Sequence, residues 1–527
     1  MSQAEIVITA LLVAVVGLSA LARALSVPYP IVLVIGGAVL GFVPGLPEVR
    51  LNPAIVLIVF LPPLLYGSAI YANVNDFRAD LRWLALNTVP LVLVTMGAVA
   101  VVAHALIPGL PWAAAFVLGA IVSPTDPLAA ATIMRRLGVP RRIVSAVEGE
   151  GLFNDATALV AYRVAVAAVV GGSFSLAHAG VTFVLDALGG LAIGLAIGWI
   201  AAAIRKRTAD AQLNVTISLL TGYAAYVPAD ALGASGVIAA VTAGIYLGIR
   251  APQILPARTR LQSGFVWDIV DFIINAILFV LIGLQLHAIV TGLPGYSAST
   301  LVGYALAIAG VVIAVRLLWF FTIPYLVWAI ERRPEQRARD VGPGGRLVAA
   351  WSGLRGAVSL AVALAIPLTT HTGTAFPERN LIIFLTFAVI FATLVAQGLS
   401  LPTLIRHLEV SDENADTEED ARARLVATKA ALRELDDLAS EDWTREQTIE
   451  RLRRFYSYRK RRFAARAGKI EDDGYEDQSL AYQQTLQRLL AAQRDALIQM
   501  RRDGKLSNEA MNRILRELDL EESRLEI

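Results

Sequence analysis

Cysteine is absent from the chain, which excludes disulfides and thiolate metal sites. Histidine is nearly absent. His104, His178, His287, His371 and His407 are scattered, no two stand four residues apart, and the pattern HExxH does not occur. An intramembrane metalloenzyme is therefore not supported, and neither a cofactor nor a catalysed reaction is expected. The phosphate-cradling pattern GxxxxGK[ST] is missing as well, so nucleotide hydrolysis is not the expected energy source. Charged residues are scarce, at 17% of 527. Apolar side chains make up 56%, and the mean hydropathy is +0.60. This enrichment runs through residue 407, far beyond the apolar core of a signal peptide. The stretch 6–22 leads directly into further membrane-length segments, so no removable leader is expected.

Charge divides the chain. Residues 1–407 hold 24 Lys and Arg against 17 Asp and Glu, whereas residues 408–527 hold 22 against 27. After Arg406 the segment SDENADTEEDARAR (411–424) turns polar. We read an all-α polytopic membrane domain over 1–407 and a soluble helical tail over 408–527. A spanning helix needs about 20 apolar residues. Thirteen segments are placed near 4–25, 29–44, 52–72, 82–107, 112–134, 141–170, 178–204, 212–229, 233–249, 261–289, 299–330, 346–369 and 379–406. The second, eighth and ninth are short or interrupted, which leaves twelve open. With the N-terminus outside, the inner loops carry 18 Lys and Arg and the outer loops only Arg50 and Arg379. Positive residues stay on the cytoplasmic side, so the bias implies an odd number of spans and a cytoplasmic tail. An odd count also fits two inverted six-helix repeats around a seventh span, with a broken helix at corresponding positions in each half. SPTDP (123–127) and GLRG (353–356) are the candidate breaks.

Four acids lie in membrane-length segments: Asp126, Glu148, Glu150 and Asp155. A charge at the bilayer centre costs roughly 2.5–3.5 kcal/mol on insertion scales, so such residues mark ion or proton pathways. Pro124 and Pro127 lack N–H groups and would free the carbonyls of Ala120 and Ser123. With Thr125 and Asp126 these form an oxygen cluster suited to an alkali cation. The same residues also fit a structural proline kink with a capping Asp. In EGEGLFNDATALV (148–160), Glu148, Gly151 and Asp155 share one helical face, and Gly151 leaves room there for an ion or water. Glu150 and Asn154 share another stripe, roughly 140° away by helical geometry. Glu148, near Arg141 and Arg142, suits a wet cytoplasmic vestibule. Arg355 cannot be neutralised, so burial demands a counter-charge, for which Glu150 is the candidate. Snorkelling to the inner surface is its structural alternative. Arg163 and Arg316 also lie within spans, with no partner assigned. Asp268 and Asp271 read as interfacial. The proline pair in FLPPLLYGSAIY (60–71) should distort its helix.

These segments carry a resemblance. FLPPLLYGSAIYANVNDFR (60–78), GAIVSPTDPLAAATIMRRLGVP (119–140), EGEGLFNDATALV (148–160), FIINAILFVLIGLQL (272–286) and WSGLRGAVSLAVAL (351–364) are similar, in order, to the monovalent cation/proton antiporter family. The likeness lies in the branch of bacterial sodium/proton antiporters and sodium/proton exchangers. The resemblance implies that Asp155 binds the ion, that Asn154 orients it, that Thr125 and Asp126 form the unwound part of the site, and that Glu150 and Arg355 make a buried ion pair. It also implies a homodimer. One position departs from the pattern: Gly151 stands where the family often has a serine whose hydroxyl helps coordinate the ion.

The combined expectation is a secondary antiporter of the plasma membrane (the bacterial inner membrane) that exchanges Na+ or Li+ for H+ in sodium and pH homeostasis. Asp155 would take a cation or a proton but never both. A single acid beside Asn154 implies electroneutral 1:1 exchange. K+/H+ exchange, a cation channel and a membrane receptor are the rival readings, and no filter repeat supports the channel. In the tail, 421–440 and 480–500 show apolar residues at helical spacing. The basic run RLRRFYSYRKRRFAARAGK (451–469) fits the anionic inner leaflet, a solvated face, or a partner for the tail's own acids. Its excess of acid argues against nucleic acid.

Overall fold

The computed structural model describes residues 3–25, 27–43, 53–72, 81–171, 176–293, 295–330, 341–410, 413–523 and 525. They form two compact units, Met1–Ser411 and Asp412–Ile527. Parts of several expected segments, among them 44–52 and 73–80, fall outside the described residues.

The first unit is helical throughout its described elements. It begins with α1 (Gln3–Ala24), α2 (Tyr29–Gly41), α3 (Pro53–Ile70), α4 (Leu81–Thr88) and α5 (Pro90–Leu106). Then come α6 (Trp112–Val122), α7 (Pro127–Arg136), α8 (Arg141–Gly171), α9 (Leu176–Arg207), α10 (Ala211–Ala231) and α11 (Gly236–Ile254). It closes with α12 (Ala257–Thr291), α13 (Ala298–Ile330), α14 (Gly342–Trp351), α15 (Ala357–Leu364), α16 (Arg379–Ala392) and α17 (Gly398–His407). A π-helical turn, Thr393–Gln397, joins the last two. Among the described residues, eight helical stretches are long and apolar enough to cross a membrane by length and composition. Three more apolar helices, Thr9–Ala24, Tyr29–Gly41 and Ile58–Ile70, are shorter.

Lipid offers no water to exposed backbone groups, so each break in a helix must be satisfied from within. The structure does this at Pro63 of α3. Pro62 and Pro63 sit inside the helix without ending it. Pro63 has no N–H for the Val59 carbonyl four residues earlier. Tyr223 of α10 supplies its hydroxyl there instead, at 2.7 Å. Small residues let the helices approach. A Cβ on Gly283 of α12 would run into the Val34 carbonyl of α2, and one on Gly248 of α11 into the Ile70 carbonyl of α3. Such contacts replace the hydrophobic drive that lipid does not provide. The main core joins α5 to α8 with α12 to α17. A second cluster, around Tyr66, Ala225, Ala239 and Trp267, holds α3 and α9 to α12 together.

The second unit holds α18 (Glu413–Leu438), α19 (Glu446–Arg466), α20 (Tyr475–Arg502) and α21 (Asn508–Glu522). The basic run falls mostly on α19, and three of its nine Lys and Arg pair with the unit's own acids. Arg462 Nε meets Glu476 Oε1 at 3.1 Å, Arg466 Nη2 meets Glu476 Oε2 at 2.8 Å, and Arg453 meets Asp436 at 2.7 Å. Phe463 is buried beneath the guanidinium groups of Arg424 and Arg459.

Candidate ion-binding site

Two broken helices meet at the centre of the first unit. α6 ends at Val122 and α7 starts at Pro127, while α14 ends at Trp351 and α15 starts at Ala357. The breaks are tied through the backbone: Asp126 N donates to Leu354 O at 2.8 Å. That bond takes the amide that would have served the Val122 carbonyl four residues back in a continuous helix. Arg355 replaces it, with Nε donating to Val122 O at 2.8 Å and Nη1 to Gly353 O at 2.7 Å. Arg355 is 2% exposed, so it does not snorkel. The carbonyl of Ala120, freed by Pro124, accepts from the Ser123 hydroxyl at 3.0 Å. One of its two lone pairs is thereby engaged. Asp126 caps α7, its Oδ1 accepting from Leu128 N at 3.0 Å.

Glu150 and Asn154 of α8 both turn to the first break and are both 1% exposed. Asn154 Nδ2 donates to Thr125 Oγ1 at 2.7 Å, and that hydroxyl donates on to Glu150 Oε1 at 3.2 Å. The ion pair of Glu150 is made by Arg316 of α13, whose Nη2 lies 3.0 Å from Oε2 and whose Nη1 contacts Oε1. This corrects the expected Glu150–Arg355 pair. Both arginines are buried at the break, but Arg355 spends its hydrogen bonds on carbonyls. Arg316 also donates from Nε to Ala350 O at 2.9 Å and from Nη2 to Ala349 O at 3.1 Å, closing the end of α14.

Asp155 lies on the other stripe of α8, half-buried. It makes no hydrogen bond or ion pair with the described residues. Its carboxylate and that of Asp126 are within electrostatic reach of each other. The oxygen of Asn154 that is not engaged by Thr125, Oδ1, is buried without a partner. The space expected beside Gly151 is filled: a Cβ there would strike the ring of Pro127. Gly151 therefore serves the close approach of α7 to α8 and opens no room for an ion, a second correction. The same closeness recurs at Gly356, where a Cβ would overlap the Asp126 carboxylate.

The transmembrane model described as sodium/hydrogen exchanger matches residues 8–407. The chain belongs to the sodium/hydrogen exchanger family. An uncharacterized Na+/H+ exchanger of Mycobacterium tuberculosis is 36% identical over 99% of this chain and 96% of its own length. A sodium, potassium, lithium and rubidium/H+ antiporter of Bacillus subtilis is 34% identical over 76% of this chain and 61% of that protein. In fold, the chain is similar to the sodium proton antiporter MjNhaP1 of Methanocaldococcus jannaschii. The TM-score is 0.59 at 19% identity, covering 78% of this chain and all of that one.

Within this exchanger the remaining sequence candidates separate. Glu148 forms an ion pair with Arg135 and is 34% exposed, so its partner is an arginine at the end of α7. Arg163 pairs with Asp230 of α10, both partly exposed. Asp271 of α12 was read as interfacial. It lies within electrostatic reach of Asp126, as does Tyr29 of α2. Asn275 holds Asp271 through Nδ2 at 3.1 Å, and the Tyr29 ring packs on Phe272 at 5.5 Å. Hydropathy gave no hint that α12 would bring this third carboxylate toward the breaks.

Proposed function

We propose that this exchanger carries Na+ or Li+ against H+ across the plasma membrane at Asp155, with Asp126, Thr125 and Asn154 beside it. The observation that carries the reading is the Asp155 carboxylate, unpaired among the described residues and within electrostatic reach of Asp126 at the first helix break. Two carboxylates that repel each other are relieved by one positive charge, whether cation or proton. One charge at a time makes the two species compete, and that competition couples their fluxes. A single acid beside an uncharged Asn154 moves one proton per cation, so the exchange is electroneutral. Gly151, packed on Pro127, leaves its coordination place to water or to Asn154 Oδ1. Glu150, Arg316 and Arg355 hold the breaks in shape. The half-exposed Glu148 lies in a cytoplasmic vestibule.

In this reading thirteen spans form two inverted six-helix repeats whose broken members cross at Asp126 and Leu354. The N-terminus is outside, the tail cytoplasmic, and the exchanger a homodimer of the bacterial inner membrane serving sodium and pH homeostasis. K+ as an alternative cargo is favoured by the name of the Bacillus subtilis relative, which includes potassium and rubidium.

Everted vesicles loaded with acid and acridine orange test the proposal. Dequenching on addition of NaCl or LiCl is expected, and Asp155→Asn abolishes it with the protein still folded. Dequenching by KCl alone moves the cargo to K+. Exchange that survives in Asp155→Asn places the carrier group elsewhere.

A further inference from the structure

Away from the ion site, one arginine is sealed into the first unit without a counter-charge among the described residues. Arg205, in the last turn of α9, is 1% exposed, whereas Lys206 and Arg207 beside it are exposed. Its Nη1 and Nη2 are buried and have no hydrogen-bond partner. Only Nε is engaged, donating to Asn214 Oδ1 at a long 3.4 Å. The contrast with Arg316 and Arg355, which donate to a carboxylate and to freed carbonyls, is plain. A guanidinium cannot shed its proton, and a buried charge left unmatched is costly.

The groups around Arg205 are neutral and rich in donors. Asn214 is pinned by its own Nδ2, which donates to Thr208 O at 2.6 Å and Asp210 O at 3.2 Å, so its oxygen faces Arg205. Tyr66 and Tyr71 lie within electrostatic reach of the guanidinium. The Tyr66 hydroxyl meets Ser218 Oγ at 3.3 Å, and that oxygen accepts from Trp267 Nε1 at 3.2 Å. Among the described residues the nearby acids are occupied or solvated: Asp210 caps α10 through Leu213 N at 2.7 Å, and Asp268 is exposed. Arg250, Arg258 and Arg260, at the end of α11 and the start of α12, are exposed at the same end of the helix bundle. Clustered charge of one sign raises the local concentration of the opposite ion.

We propose that Arg205 forms the floor of an anion site among α3, α9, α10 and α12, which takes one small inorganic anion, chloride or phosphate, from the arginine-rich end. A lipid phosphate shares this chemistry, but its glycerol and acyl chains need an open portal, and the two guanidinium nitrogens are enclosed.

The test uses the full chain in detergent at constant sodium, with gluconate exchanged stepwise for chloride or phosphate. Ligands that bind only the folded state raise its melting temperature. The expected result is a saturable rise of about 2 °C or more. Arg205→Gln removes it and Arg207→Gln keeps it. If Arg205→Gln fails to fold, Asn214→Asp decides, because it sets a carboxylate against the guanidinium. That variant should ignore chloride whatever its own melting temperature, since the new oxygen replaces Nδ2 opposite the carbonyls of Thr208 and Asp210. Equal melting of the unsubstituted protein in all three anions overturns the site, as does an undiminished chloride response in Asn214→Asp. A rise confined to phosphatidylglycerol vesicles, absent with phosphatidylcholine, overturns the small-anion assignment in favour of a headgroup.

Discussion

Arg316 and Glu150, 166 residues apart in sequence, form a two-pronged ion pair with side chains 3% and 1% exposed. The pair joins α13 to α8, and the same guanidinium closes the end of α14 through the carbonyls of Ala349 and Ala350. One cation thereby fixes the second break against the helix that carries Asp155.

Removing either member leaves the other charged and buried, which costs about 3–5 kcal/mol. Glu150→Ala and Arg316→Ala are each expected to lower the melting temperature of the purified protein strongly. The double variant Glu150→Gln with Arg316→Met leaves no orphan charge and should be more stable than either single alanine variant. A Glu150→Ala/Arg316→Ala double variant whose loss equals the sum of the two singles would show that the residues do not act as a pair.

Gly356→Ala tests the crossing itself. The backbone there is extended, at φ −128°, so alanine meets no conformational barrier. The obstacle is the Asp126 carboxylate, which the new methyl group would overlap. Overpacking costs about 1–3 kcal/mol. A displaced Asp126 should also raise the sodium concentration needed for half-maximal exchange by about tenfold, the equivalent of about 1.4 kcal/mol. Vesicle titrations read this directly, and an unchanged half-saturation point would remove Asp126 from the cation site.

The all-helical class of the first unit and the two breaks were legible in the sequence, because lipid leaves hydropathy and proline few alternatives; eight stretches reach spanning length among the described residues, against thirteen expected. So was the division of α8 into two stripes, since helical spacing alone sets Glu150 and Asn154 apart from Asp155. The choice between Arg316 and Arg355 was not legible. Both are arginines within apolar segments, and only the packing of α13 on α8 and α14 decides which one reaches Glu150. The vacancy at Gly151 was misread for a related reason: a missing side chain looks like space until the neighbouring helix is placed, and Pro127 occupies it. Arg205 was counted with the loop charges because it adjoins Lys206 and Arg207, yet the turn of α9 carries it inward.

Thr125→Val isolates the hydroxyl that links Asn154 to Glu150. Valine keeps the shape and leaves Asn154 Nδ2 without its buried acceptor, at a cost of about 1–3 kcal/mol. Exchange should weaken through a higher half-saturating sodium concentration while the protein remains folded. Thr125→Ser, which restores the hydroxyl, should recover most of the affinity. Loss in Thr125→Ser with little in Thr125→Val would instead assign the effect to packing of the Thr125 methyl group.

In the tail, Glu476 tests whether α19 and α20 are held by charge. Burial pushes its carboxyl up, but hydrogen bonds from Arg462 and Arg466, together with their charges, outweigh that and hold it below the usual carboxylate range. A folded-state value below the unfolded one, about 4.3, contributes stability above that pH and loses it as pH falls through the folded value. Glu476→Gln should therefore destabilise the α19–α20 contact by about 1 kcal/mol at pH 7. Hydrogen exchange of the full chain should show faster exchange at Tyr458 and Ser479 in the variant at pH 7, with the difference closing as pH falls below 4. A difference that persists unchanged at acid pH would mean that packing of the side chain, rather than its charge, holds the two helices together.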